Sequence, residues 1–251
     1  MRAIAIVSGK GGVGKTATAI NLGISLSNLG NSVTIVDANI STPDVALSLG
    51  APIVPTALQH VLSRKAKTQN AIYRHHSGAK ILPSSLSFND SMDISLLKNV
   101  IQDLKKTNDF ILIDCGAGIN KETRAVMESA DECLIITNPE MPALSSALKT
   151  IMAAKQLDKK ITGIIVTKTT KNGIGEENIR SLLENDILGN IPYDDGFRDS
   201  LMKREALVSL DPNNKASKRY GKIAKKISHS YGETAFDRFI DIIYDLKEMI
   251  D

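Results

Sequence analysis

Apolar residues fall into short continuous runs, separated by stretches of helical periodicity. Residues 4–7, 33–36, 81–82, 110–113, 133–137 and 161–167 are rich in Ile, Val and Leu and read as strands. Their apolar positions run on instead of alternating, as strands covered on both faces do. Residues 15–29, 93–106, 121–129, 143–156 and 176–184 read as helices. Such strand–helix repetition predicts an α/β fold, with a mostly parallel sheet and helices on both faces. Beyond about residue 196 the pattern is helical only: a basic helix over 216–231, stopped by Gly232, and a last helix over 234–250. Residues 51–79, with Pro52, Pro55 and the adjacent His75 and His76, are the least regular but have no linker composition. We read one domain, residues 1–251, with a body over 1–202 and a helical tail over 203–251.

Composition narrows the class without naming a function. At 251 residues and 42% hydrophobic, the chain can bury a substantial core, and its make-up excludes collagen-like, disulfide-scaffold and wholly disordered readings. Two cysteines, Cys115 and Cys133, suggest a reducing compartment. No apolar run approaches the length of a membrane span, and no signal-peptide pattern is present, so a cytoplasmic protein is expected. The histidines His60, His75, His76 and His229 show no metal-ligand spacing.

The net charge of +3 is a cancellation: residues 203–226 hold eight Lys/Arg against two acids, and residues 233–251 hold two against six. Lys218, Arg219, Lys222, Lys225 and Lys226 form either a solvated helix face or a patch for non-specific DNA or an acidic partner. In the last helix Phe236, Phe239, Ile243, Leu246 and Ile250 recur at alternating three- and four-residue steps, among acids. An anionic face disfavours docking on anionic lipid. Docking on its own domain, or pairing with another helix, remains.

The strongest chemical signal follows the first strand. Gly9-Lys10-Gly11-Gly12-Val13-Gly14-Lys15-Thr16 satisfies G-x-x-x-x-G-K-[ST], with a strand before it and a helix after it. Glycines let successive backbone N–H groups turn inward around phosphate oxygens. Lys15 supplies a cation for the β- and γ-phosphates, Thr16 a hydroxyl for Mg²⁺, and the helix N-terminus favours the anion. Asp37 and Asp114 each follow a strand and would project into the crevice where such sheets bind ligands.

With Lys10 included, the loop resembles the deviant Walker A motif of the MinD/ParA superfamily of ATPases. Thr137-Asn138-Pro139-Glu140 and Ile191-Pro192-Tyr193-Asp194 are similar to MinD segments, and residues 36–44 to archaeal MinD-like members. The resemblance implies a single P-loop ATPase domain that binds ATP and Mg²⁺, and a dimer sandwiching two nucleotides. Lys15 would act in cis, and Lys10 on the partner's nucleotide. Thr16, Asp37 and Asp114 would serve the metal. Asp114-Cys-Gly-Ala-Gly118 resembles the second switch, D-x-P-A-G, with Gly116 for proline, and Gly118 would offer its N–H to the γ-phosphate.

Departures from the family pattern matter equally. Asn39 stands where the family has the Asp that positions the hydrolytic water; an amide can hold a water but cannot take its proton. Asp44 could replace that carboxylate, hydrolysis could be very slow, or positioning by Asn39 could suffice. Ala17 lacks the hydroxyl that contacts the α-phosphate, and Thr167 occupies the position of an adenine-reading Asn, near Pro192 and Asp194. The expected function is a dimerising ATPase switch that organises a division site, chromosome or other cargo under a protein activator or adaptor, for which the C-terminal helices are the candidate surface. Rivals are a non-hydrolysing nucleotide-gated binder, a ParA-like DNA-binding partition ATPase using residues 218–226, and an iron–sulfur carrier or metabolic enzyme on the same fold.

Overall fold

The computed structural model describes residues 1–51, 53–86 and 92–229; the helix expected over 234–250 and its Gly232 boundary lie outside them. The elements follow in the order β1 (Arg2–Val7), α1 (Lys15–Asn28), β2 (Val33–Asp37), α2 (Val45–Ser48), α3 (Leu58–Leu62), β3 (Tyr73–Arg74), β4 (Lys80–Leu82) and α4 (Leu97–Lys105). They continue as β5 (Phe110–Asp114), α5 (Lys121–Ser129), β6 (Glu132–Thr137), α6 (Met141–Gln156), β7 (Lys160–Thr169) and α7 (Glu176–Leu183). The remainder are β8 (Ile187–Pro192), α8 (Gly196–Lys203), α9 (Leu207–Leu210) and α10 (Lys215–His229). One eight-stranded sheet, ordered β3-β4-β2-β5-β1-β6-β7-β8, is parallel except for the β3–β4 pair. The expected α/β architecture is therefore present, with helices on both faces.

Continuous apolar strands arise because each strand feeds two cores. In β1, Ala3, Ala5 and Val7 pack with α4, α5 and α6, whereas Ile4 and Ile6 pack with α1, α9 and α10. Tyr220, Ile223 and Ile227 of α10 are buried in that second core, so the first of the two C-terminal helices is a layer of the body. Its Lys218, Arg219, Lys222, Lys225 and Lys226 lie on the exposed side. The boundary placed between residues 202 and 203 falls inside α8.

The sequence pattern missed β8, and the reason is physical. Ile-Leu-Gly-Asn-Ile-Pro is an edge strand with Gly189 and Asn190 at its centre, residues of low strand propensity. Gly189 is there for closeness: a Cβ would come 2.9 Å from the Ile223 side chain of α10. The helix expected over 93–106 opens as a 3₁₀ turn at Ile94–Leu96, capped by Asp93, before α4 begins.

Candidate functional site

β1 delivers the chain into the glycine loop, and the loop delivers it into α1. Gly12 (φ 72°) and Gly14 (φ 91°) adopt left-handed backbone that a side chain would strain. Gly14 caps α1 without a side-chain hydrogen bond, and the first turn carries no acid, so the helix's leading N–H groups remain available to an anion. The loop is braced from outside. The Thr167 hydroxyl at the end of β7 donates to Val13 O (2.5 Å), and Lys168 Nζ donates to Gly12 O (2.7 Å).

Two lysines of the loop point differently. Lys15 is buried and its Nζ donates to Ser8 Oγ (3.0 Å), inside the loop. Lys10 is exposed, and its Nζ lies 3.3 Å from Glu140 Oε2 at the start of α6, an exposed pair worth little energetically.

Asp37 and Asp114 end neighbouring parallel strands in direct register. Both are fully buried. Asp114 accepts a hydrogen bond from Thr16 Oγ1 (2.6 Å) on Oδ2, while its Oδ1 is buried and unpartnered. Burial pushes the Asp114 carboxyl up to about 7, against the opposing pull of the Thr16 hydroxyl and the Lys15 ammonium. Asp37 is raised well above the carboxylate range by burial and then by Asp114. An orphaned buried carboxylate oxygen, a hydroxyl and a second buried acid form a hard-oxygen set, which fits Mg²⁺. Asp37 also pins the loop between β2 and α2, its oxygens accepting from Asn39 N (3.2 Å) and Val45 N (3.1 Å).

Asn39 is nearly buried and closed upon itself. Its amide donates to Thr42 O, and its Oδ1 accepts from Thr42 Oγ1 (3.1 Å). Gly116 accommodates it: a Cβ there would sit 3.2 Å from Asn39 Oδ1. Asp44 stands at the N-terminus of α2 on the crevice wall, exposed, its carboxyl raised by partial burial.

Three expected contacts are already engaged within the protein. Gly118 has the left-handed backbone (φ 83°), but its N–H donates to Ser8 O (3.1 Å), so it is not directed at a phosphate in this conformation. Thr167, expected near the base, uses its hydroxyl to donate to Val13 O and to accept from Asn138 Nδ2 (2.9 Å). Asp194 accepts from Gly196 N (2.8 Å) and from Asn214 Nδ2 (3.1 Å). Both are braces, because long-range partners claimed their polar atoms. Pro192 and Ala17 line the crevice, a cavity of about 850 Å³ extending from Gly11–Thr16 to Tyr193, Phe197 and Leu201. Sequence reasoning missed Asn138, Lys168 and Ser8 as supports of the loop.

A parallel sheet with this loop after its first strand, and two acids across the crevice, defines a P-loop NTPase. The family model described as "ParA: NUBPL iron-transfer P-loop NTPase" matches residues 1–228. The chain is 32% identical over 238 residues to the septum site-determining protein MinD of Bacillus subtilis, covering 90% of this chain and 88% of that protein. Among solved structures it resembles MinD of Pyrococcus horikoshii complexed with Mg-ADP, at TM-score 0.88 and 32% identity, over 92% of this chain and 97% of that one. It also resembles the MinC:MinD cell division complex of Aquifex aeolicus, at TM-score 0.83 and 28% identity, over 93% and 97%. The chain belongs to the ParA/MinD family of P-loop NTPases, and its likeness is to a MinD-type ATPase.

Proposed function

We propose that this protein is a cytoplasmic ATPase switch that binds ATP–Mg²⁺, dimerises face to face around it, and positions a division site, chromosome or other cargo through a protein activator or adaptor. The observation carrying this reading is the contrast between the two loop lysines. Lys15 serves its own loop, whereas Lys10 presents its ammonium outward, paired among the described residues with an exposed Glu140. A cation at the mouth of a phosphate site suits a phosphate on another molecule. The pair costs little to release. In the proposed complex, Mg²⁺ would be held by Thr16 and Asp114, with Asp37 fixing the loop beside it, and would screen the phosphate charge. The helix N-terminus and Lys15 bind and orient the phosphates. No helix among the described residues is long and apolar enough to cross a membrane.

Size-exclusion chromatography in ATP and in ADP tests the switch. Wild type is expected to shift to dimer in ATP alone, and Lys10→Ala to remain monomeric while still binding nucleotide. A dimer indifferent to nucleotide and to Lys10 would overturn the reading.

Asn39 favours a second, slower version of the same activity. Its side chain is closed on Thr42 and cannot serve as a base. Asn39→Asp is therefore expected to raise single-turnover ATP hydrolysis by about a hundredfold, the low end of general-base contributions. An unchanged rate would mean that Asn39 does not limit turnover. The iron–sulfur rival is not favoured, since Cys115 and Cys133 are both buried and burial pushes their thiols up. A salt-sensitive DNA shift dependent on Lys218 and Arg219 would instead assign the exposed face of α10 to a partition-type activity.

A further inference from the structure

The β3–β4 hairpin places two adjacent histidines on one side of a turn. Gly78 (φ 89°) makes the reversal, with Gly78 N donating to His75 O (2.9 Å) and His75 N to Ala79 O (2.8 Å). The two imidazoles stand 4.1 Å apart at 36°, both directed at Glu205 in the segment between α8 and α9. His76 Nε2 is 2.8 Å from Glu205 Oε2, and His75 Nε2 is 3.7 Å from Glu205 Oε1. One candidate ligand atom from each residue lies within 4.8 Å of the others. We propose that His75, His76 and Glu205 form a transition-metal site of the Zn²⁺ class, which clamps the edge hairpin to the segment leading into α9.

The donor set is that of zinc: two imidazole nitrogens and a carboxylate, leaving a fourth position for water. Around a four-coordinate ion with bonds of about 2.0–2.2 Å the ligand atoms would stand about 3.4 Å apart, so the 2.8 Å His76–Glu205 pair opens slightly while the wider pairs close, a change that rotation of the exposed His76 ring can supply. Supporting groups are already in place. Ser77 holds the His75 ring with Nε2 towards Glu205: its Oγ lies 2.8 Å from Nδ1, and its N–H donates to Nδ1 (3.3 Å). Glu205 is anchored by Ala206 N donating to Oε1 (3.1 Å) and by Ser200 Oγ donating to its main-chain oxygen (2.5 Å). Arg204 makes the turn before it with left-handed backbone (φ 56°). Glu205 lies 129 residues from His76 in sequence, which is why spacing gave no sign of the site.

The test uses the full-length, tag-free, nucleotide-free chain in excess Mg²⁺, so that oxygen-only sites are occupied. Titration with Co²⁺ is expected to raise the visible absorption of four-coordinate cobalt, and one equivalent of Zn²⁺ to abolish it. His76→Ala, at an exposed position, and Glu205→Gln are expected to weaken Zn²⁺ binding by at least about tenfold and to remove the cobalt spectrum. His60→Ala should leave both unchanged. Absence of saturable binding, or a spectrum that persists in His76→Ala, would overturn the proposal.

Discussion

Asp114→Asn is expected to stabilise the nucleotide-free protein at pH 8 and to abolish its stabilisation by Mg²⁺–nucleotide. Both effects come from one buried carboxylate. Burial raises its folded-state pKa to about 7, well above the usual carboxylate range, so the folded protein holds this proton more tightly than the unfolded chain does. Stability is therefore unpenalised below the unfolded pKa, falls as pH rises between about 4 and 7, and carries the full penalty above 7. At about 1.4 kcal/mol per pH unit, that penalty is on the order of 4 kcal/mol. Asp37, raised in the same direction, adds to the slope. Asparagine keeps an oxygen for the Thr16 hydroxyl and removes the charge. Thermal melts in EDTA from pH 5 to 8 should show wild type losing stability with pH and Asp114→Asn much less so. With Mg²⁺ and nucleotide present, the order should reverse. A wild-type melting temperature flat across that range would contradict the buried-charge account.

Gly9→Ala is the second large effect expected. A Cβ on Gly9 would meet Ser146 O at 2.4 Å and Ser146 C at 2.8 Å, backbone atoms of α6 that no side-chain rotation can move. Either α6 retreats from the sheet or the loop shifts off its course. Overpacking of this kind costs about 1–3 kcal/mol. The functional cost should exceed the stability cost, because a loop displaced by about 1 Å misdirects donors whose worth depends on their aim. Gly221→Ala is the control, a Cβ there meeting nothing within 4 Å and lying on α10 away from the crevice. Nucleotide titration alongside thermal melts should find Gly9→Ala weakened by at least about tenfold, a loss of about 1.4 kcal/mol. Equal affinity in the two variants would mean that the loop tolerates displacement.

The central sheet and the phosphate loop were legible because their signals are local. Ile4 through Val7 is apolar on both faces, and the loop's glycines, Lys15 and Thr16 follow at fixed offsets. Asp37 and Asp114 could be placed because each ends such a run. What escaped the sequence depends on contacts between distant residues. Nothing near Gly118 says that Ser8 O takes its N–H, nor near Thr167 that Val13 O takes its hydroxyl. The closure of Asn39 on Thr42 was within reach, since an Asn and a Thr three residues apart in a turn can bond each other. Edge strand β8 was hidden by Gly189, whose purpose lies in α10 and not in its own strand.

The course of α10 has a mechanical consequence. At its head, Asn214 bonds Asp194 on the crevice wall; near its foot, Ile227 O bonds Arg2 Nη1 at the opposite end of β1. Fifteen residues at 1.5 Å rise make it a strut of about 22 Å. A small shift of the crevice wall would tilt this strut about its foot, where Arg2 is itself fastened by Glu132 (2.8 Å). Motion at the nucleotide would therefore reach His229, the last described residue and close to the fulcrum, as a change of angle with little change of place.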